Sequence, residues 1–244
     1  MPGKVSAGRL IAEGLVIVAS ILAAFGIQAW WDNRLEHQEE TRVLAALLDE
    51  AIENRSEFER MTTYHCEALE NLSGLFKVGG QAGTDISADS IDQLLIHASG
   101  WLLPAYNRSA LDLTLLGGKL PLLDNTALAR QITKWERSLE QILDFERGHG
   151  LFMQNVWIPF LRSNASVPQL SNAQTSILGG GEAYASPSPV VFLLDHAPLF
   201  GLREFQNILQ EKKWSHEDAL AVYEAVEYAL EELSIGLRME LGAS

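Results

Sequence analysis

Residues Leu10–Trp31 read LIAEGLVIVASILAAFGIQAWW and form the longest apolar stretch near the start of the chain. It holds one charged residue, Glu13, and few other polar side chains. A helix of this length is about 33 Å long at ~1.5 Å per residue, and the hydrocarbon core of a bilayer is ~30 Å thick. The tryptophans that close it, Trp30 and Trp31, are typical of a membrane–water interface. The stretch therefore predicts a transmembrane helix.

The residues before this span carry the positive charges of Lys4 and Arg9, which resemble the start of a secretory signal. Ala24 and Gly26 offer the best match to a cleavage site, but no polar region precedes them and the apolar run is long for a signal. We therefore interpret residues 1–9 as a short cytoplasmic tail and residues 10–31 as an uncleaved anchor. The Lys/Arg bias across the span is small, since Arg34 and Arg42 follow it, but the basic tail and the acidic domain favour an N-terminus inside and a domain outside. In a bacterium, this orientation places the span in the inner membrane and the C-terminal domain in the periplasm.

Two features inside the span each have two interpretations. Glu13 lies about one turn into the apolar run, where a carboxylate is either functional or close enough to the headgroups to pair with Arg9, four residues earlier. Ala19 and Ala23 form a small-xxx-small pair that would let a second helix approach closely. Homodimerisation, or contact with a membrane-protein partner, is a hypothesis that this face supports.

The composition excludes one large class of partner. The chain of 244 residues has a net charge of −14, and without Lys4, Arg9 and Glu13 it keeps 16 basic and 31 acidic residues. Such a domain repels phosphate backbones, and no basic cluster interrupts the pattern, so we expect no nucleic-acid binding. With 47% hydrophobic and 20% charged residues the remainder is globular rather than disordered.

A long helix is predicted to continue from the span to about residue 78. Small and apolar residues recur there with the alternating three- and four-residue spacing of a heptad seam, as in a coiled coil. The seam is a candidate interaction surface, and its residues are Leu44, Leu47, Asn54, Phe58, Met61, His65 and Leu72. It is buried either against its own domain or against a second copy. Asn54 either sets the register of a dimer or lies at the edge of a bundle.

The rest of the chain predicts further helices and no convincing strand. We expect helices near residues 90–98, 107–116, 198–210 and 215–241, and a long helix that starts at Asp124 or Asn125 and leads into residues 151–161. Gly117-Gly118 would end the third helix of the chain. Asp124 or Asn125 would cap the fourth helix, and Gly148 and Gly150 would bend this fourth helix. A long loop is expected over residues 163–189. Residues 32–244 are thus predicted to be an all-α bundle of five to seven helices.

The motifs of common catalytic and metal sites are absent from the sequence. It contains no P-loop, no dinucleotide-binding glycine pattern, no GxSxG and no HExxH. One Glu-x-x-His pair, Glu146 and His149, lacks the second pair that a di-iron bundle needs, and we expect it on a solvated helix face. The single cysteine, Cys66, is expected to be a small buried residue. We therefore predict no metal, no cofactor and no enzymatic activity.

Two regions of the chain resemble a group of bacterial single-pass membrane proteins of unknown function. The first is EGLVIVASILAAFGIQAWWDNR, residues 13–34, and the second is AYNRSALDLTLLGGKLPLLDNTALARQITKWE, residues 105–136. The chain departs from the group at Gly117-Gly118-Lys119 and Pro121, where a Ser-Gly step without proline is expected. The resemblance implies a membrane location and an all-helical domain, and it implies no activity.

Two functional hypotheses follow. The first is a non-enzymatic, membrane-anchored interaction or scaffold protein. The second is a periplasmic ligand-binding or sensory domain that acts through a membrane partner, with a small molecule held near Trp101, Tyr106 and Trp135. An enzyme with a site assembled from distant residues is a third interpretation.

Overall fold

The computed structural model of the chain describes residues 7–80, 86–173, 190 and 192–242, with side chains from residue 15 onward. These residues form helices and short connections, and no strand occurs among them. The predicted all-α class is confirmed. The side chains of Arg9 and Glu13 lie outside the described residues, so their pairing stays a prediction.

The helices follow one another with short connections. Their bounds are α1 Ala7–Gly80, α2 Ala88–Ala98, α3 Ser109–Leu116, α4 Thr126–Phe152, α5 Ile158–Asn164, α6 Val167–Ala173 and α7 Arg203–Glu240. A π-helical segment, Met153–Trp157, joins α4 to α5 without a break. The predicted helix stop is confirmed, because α3 ends at Leu116 and Gly118 adopts a left-handed φ of 65°. Asn125 caps α4 by accepting from two backbone N–H groups.

The first helix has an exposed part and a buried part. Side chains from residue 15 to residue 38 are all exposed, including Leu15 at 65% and Ile27 at 68%. Burial begins at Val43 and continues along one face to Leu75. Within the described residues, this is the one helix long and apolar enough to cross a bilayer.

The seam of α1 is buried against the chain's own helices. Each of its seven residues is at most 2% exposed, and α7 is the helix with which α1 makes its most extensive contact. Of the two interpretations of the seam, burial within the domain is therefore the correct one. The heptad spacing matches the groove of α4 and α7 as well as it would match a second copy.

Asn54 also serves the domain itself. Its side chain donates to the backbone O of Asn107 at 2.6 Å and accepts from the backbone N–H of Asn107 at 2.7 Å. These two bonds hold the segment before α3 against α1. A register role in a dimer is therefore not needed to explain the polar residue in the seam.

Two hydrophobic cores lie one after the other along α1. The proximal core, nearer the exposed apolar segment, joins α1 residues up to Met61 to Leu128–Ile142 of α4 and Ala219–Leu237 of α7. The distal core joins Leu72 and Leu75 of α1 to α2, to residues 153–161 and to the first turns of α7. Between the two cores, each of the three long helices contributes buried polar side chains instead of apolar ones.

Three details differ from the sequence prediction. The last two predicted helices are one, α7, because residues 211–214 (EKKW) contain no glycine or proline that would end a helix. Part of the predicted loop is helical, namely α6, and residues 174–189 lie outside the described residues. Gly148 and Gly150 neither end nor interrupt α4.

A buried histidine–carboxylate pair fastens the segment before α7 to the distal core. Nδ1 of His196 lies 2.5 Å from Oδ1 of Asp92 in α2, and the other ring nitrogen accepts from the backbone N–H of Ser166. The second Asp92 oxygen accepts from the Gln169 amide at 2.6 Å. Because every polar atom of the pair is satisfied, this cluster is structural.

Candidate functional site

Five buried polar side chains meet at the junction of the two cores, and we call them the polar centre. His65 comes from α1, Glu146 and His149 come from α4, and His216 and Tyr223 come from α7. None is more than 3% exposed. Polar groups are this deeply buried only when partners or a ligand compensate for the loss of water.

Helical spacing explains why these residues converge. On α4 the apolar stripe Leu128, Ile132, Trp135, Leu139 and Ile142 reaches Glu146 after four more residues and His149 after another three. On α7, His216 lies three residues before the buried Ala219 and seven before Tyr223. His65 follows Met61 by four residues on α1. Each polar residue thus occupies the next position of an apolar stripe.

Hydrogen bonds link the polar centre in pairs. The Nδ1 atoms of His65 and His216 lie 2.9 Å apart, so one ring N–H donates to the other ring nitrogen. The hydroxyl of Tyr223 donates to Oε1 of Glu146 at 2.7 Å. Nδ1 of His149 lies 2.7 Å from the hydroxyl oxygen of Ser215. Nε2 of His65 is 3.7 Å from Oε1 of Glu146, beyond hydrogen-bond distance.

Four buried atoms of the polar centre have no partner among the described residues. They are the Nε2 atoms of His65, His149 and His216, and Oε2 of Glu146. A buried polar atom without a hydrogen bond costs about 1–3 kcal/mol. The concentration of four such atoms in one place indicates that something other than the described protein groups occupies part of this site.

The protonation states are set mainly by burial. Burial lowers the pKa of His149 to about 3 and that of His216 to about 2, and the positive charge of Lys212 acts in the same direction. Both imidazoles are therefore neutral at pH 7. Burial, together with the charge of Glu146, raises the pKa of Tyr223, so the phenol stays protonated and donates its hydrogen bond.

Lys212 lies beside the polar centre and is 1% exposed. Its Nζ is 3.1 Å from the sulfur of Met153 and 5.3 Å from the ring centroid of Trp157. A thioether is a weak acceptor, and Lys212 makes no ion pair with a described carboxylate. Burial accordingly lowers its pKa to about 7, which leaves the amine about half protonated at neutral pH.

Two clefts reach the polar centre from opposite sides of α4. The first, about 360 Å³, is lined by Trp101, Leu143, Glu146, Arg147, Gly150 and Leu151 among others. A side chain at Gly150 would collide with Trp101, since a Cβ there would lie 2.5 Å from the ring, so the glycine lets this ring close the cleft. The second, about 330 Å³, is lined by His149, Phe152, Trp214 and Ser215 among others. Glu146 and His149 thus each border a cleft.

The residues singled out in the sequence have separate positions. Of the three aromatic residues proposed for a ligand pocket, Trp101 lines the first cleft. Trp135 is buried in the proximal core, where its ring packs edge-on against Phe58, and Tyr106 packs on the same phenylalanine. Of the candidate seam, His65 alone belongs to the polar centre. The two span alanines and the two interfacial tryptophans lie on the exposed part of α1.

Two sequence predictions at this site are wrong. Glu146 and His149 are not on a solvated helix face but are buried, because α1 and α7 cover that face of α4. Cys66 is exposed rather than buried, because it lies one position beyond the seam residue His65 and points away from the bundle.

The convergence of three histidines, Glu146 and Lys212 was missed altogether. The signal in the sequence was the continuation of each apolar stripe, with its three- and four-residue steps, through polar residues. Only the packing of α1, α4 and α7 against one another shows that these polar residues lie at the same level along the bundle.

A second group of potential ligand atoms lies at the surface. His37, Glu40 and Asp124 place donor atoms within 4.8 Å of one another, near the exposed segment of α1. His37 and Asp124 are exposed, and Nδ1 of His37 lies 3.8 Å from Oε2 of Glu40. Surface groups of this kind are well hydrated, and the Glu40 carboxylate also accepts from the backbone N–H of Asp124 at 3.3 Å.

Comparison of the chain with family models, curated proteins and solved structures finds no match in any of the three.

Proposed function

We propose that the chain is a single-pass protein of the bacterial inner membrane that holds a non-enzymatic helical domain on the periplasmic side. One observation carries the proposal: side chains from residue 15 to residue 31 are almost all apolar, and all are exposed, while the same helix is buried from Val43 onward. Exposed apolar surface on this scale is unfavourable in water, at ~25 cal/mol per Å², and favourable in a bilayer.

The interfacial residues at the end of this segment support the proposal. Trp30 and Trp31 lie side by side, and the guanidinium of Arg34 lies 5.9 Å from the Trp30 ring centroid. Aromatic rings and a nearby cation are typical of the headgroup region. Residues 13–34, on which the resemblance to bacterial single-pass membrane proteins of unknown function rests, include most of this span. The basic residues before the span and the acidic domain after it favour a domain outside the cytoplasm.

The topology can be tested through Cys66, the single cysteine, which is exposed on the domain. We expect a membrane-impermeant maleimide to label full-length protein in intact spheroplasts as completely as in detergent-lysed cells, and the protein to stay in the membrane pellet at alkaline pH. The matched control is Cys66→Ser, which should give no signal. Labelling only after lysis would place the domain in the cytoplasm, and release at alkaline pH would contradict the anchor.

The scaffold function makes a second testable prediction. Because the seam is buried within the domain, chemical cross-linking in intact membranes should give intrachain links between α1 and α7. Links to a partner or to a second copy should map to exposed positions or to the span, where Ala19 and Ala23 allow close approach. Mass spectrometry of the linked peptides distinguishes the two classes. If no intermolecular link forms at any position, the scaffold proposal fails.

Ligand binding is the second candidate function, and the first cleft favours it. The cleft has an aromatic wall, Trp101, and apolar sides, Leu143 and Leu151, and the carboxylate of Glu146 lies at its inner end. Few polar groups in a mostly apolar concavity are typical of small-ligand sites. A sensory domain of this kind would act through a membrane partner.

A further inference from the structure

The unpartnered atoms of the polar centre share one chemistry. Three are imidazole nitrogens and one is a carboxylate oxygen, and the four side chains come from three different helices. Imidazole and carboxylate together are the donors that bind zinc and neighbouring divalent transition metals. Calcium and magnesium prefer sites made of oxygen atoms, and the polar centre has a single carboxylate.

We propose that the polar centre binds one divalent transition-metal ion of the zinc type through His65, Glu146, His149 and His216. The proposal deepens the ligand-binding candidate above, and it does not depend on membrane insertion.

The side chains of the polar centre are near one another but do not yet form a ligand shell. Ligand atoms bound tetrahedrally at ~2.0–2.2 Å from an ion are about 3.3–3.6 Å apart. The Nδ1 atoms of His65 and His216 are 2.9 Å apart because they share a hydrogen bond, and the other nitrogen of His65, Nε2, is 3.7 Å from Glu146 Oε1. The ring of His149 lies 5.1 Å from that of His216, centroid to centroid.

Metal binding at the polar centre requires side-chain rotation. Donor sets whose atoms already lie within 4.8 Å of one another are found, among the described residues, at His37, Glu40 and Asp124 and not at the polar centre. In the proposal, His149 rotates about its side-chain bonds and exchanges its bond to Ser215 for the ion. The cleft beside His149 leaves room for this rotation.

The carboxylate of Glu146 suits a cation. The carboxylate of Glu146 is buried, and no lysine or arginine among the described residues pairs with it. A divalent ion would supply the missing positive charge and satisfy Oε2.

The experiment uses full-length protein in detergent, stripped with a chelator and titrated with Co²⁺ as the probe. We expect visible absorption bands of low-coordinate Co²⁺ that saturate at one ion per chain and are displaced by Zn²⁺. At one hundred times the dissociation constant, Zn²⁺ should raise the unfolding temperature by roughly 5–10 °C.

The variants test the assignment of the ligands. His216→Ala should weaken Co²⁺ binding by roughly 100-fold or more, since even residues that only support a ligand cost 10–100-fold. Glu146→Gln keeps the shape of the side chain and should also weaken binding if His216→Ala fails to fold. His97→Ala, a half-buried histidine on α2, is the matched control and should bind normally. Helix content by circular dichroism verifies folding.

Two results would overturn the proposal. One is the absence of both absorption bands and thermal stabilisation at millimolar Co²⁺ or Zn²⁺. The other is Co²⁺ binding that survives Glu146→Gln but is lost in His37→Ala, which would assign the ion to the surface group of His37, Glu40 and Asp124.

Discussion

Replacing Lys212 by methionine is expected to stabilise the protein by about 2–4 kcal/mol at pH 7. The amine is 1% exposed, and its hydrogen-bond acceptor is the sulfur of Met153. Burial lowers its pKa from 10.5 to about 7, and each pKa unit is worth ~1.4 kcal/mol. Methionine has a similar length and no charge, so it removes most of this cost and keeps the contact with Trp157.

The same substitution should change the pH dependence of stability. Between about pH 7 and pH 10.5 the unfolded chain holds the Lys212 proton and the folded chain has lost it. Stability of the parent protein therefore rises with pH in this window, by up to ~1.4 kcal/mol per pH unit from this group. Below pH 7 both states are protonated, and the cost of burial is present in full. Lys212→Met should remove this slope.

Unfolding of the full-length protein in detergent, followed by circular dichroism from pH 6 to pH 10 with chelator present, measures both effects. The matched control is Lys213→Met, since Lys213 is partly exposed and pairs with Glu217. It should change stability by less than about 1 kcal/mol. If Lys212→Met is less stable than the parent at pH 7, the amine has a favourable partner and the argument is wrong.

Replacing Phe58 by alanine is expected to destabilise the protein by about 3–5 kcal/mol. Phe58 is fully buried at the centre of the proximal core, and its ring lies 5.8 Å from that of Trp135 and 6.2 Å from that of Tyr223. Removing the Phe58 ring leaves a cavity bordered by the rings of Tyr106, Trp135 and Tyr223, and the aromatic contacts with them are lost as well. Because Tyr223 also donates to Glu146, the polar centre should become looser.

The unfolding temperature of Phe58→Ala should fall by roughly 6–20 °C, which differential scanning measures in detergent. Leu116→Ala is the matched control for loss of apolar side-chain atoms. Leu116 is 86% exposed, so its variant should unfold within about 2 °C of the parent. A similar small effect for Phe58→Ala would show that the proximal core is not packed as described.

The polar centre shows how far sequence analysis reaches. The sequence shows one Glu-x-x-His pair, Glu146 and His149, and without a second pair it predicts a solvated helix face. The apolar stripe of α4 continues through both residues to Met153, which is the pattern of a buried face. The same continuation occurs at Lys212 and His216 on α7. Which polar residues share a site depends on the relative heights of helices that are far apart in the chain.

Local sequence by itself determined the all-α class and the long apolar segment that ends in Trp30 and Trp31. It also determined the helix stop at Gly118 and the helix cap at Asn125. Each of these features depends on residues within a few positions of one another. Tertiary structure alone decided that the seam of α1 is buried against α7, and that His65, Glu146 and His216 meet between two apolar cores. The physical reason is that a heptad seam matches any complementary helix surface. Its partner is selected by the packing of the whole bundle.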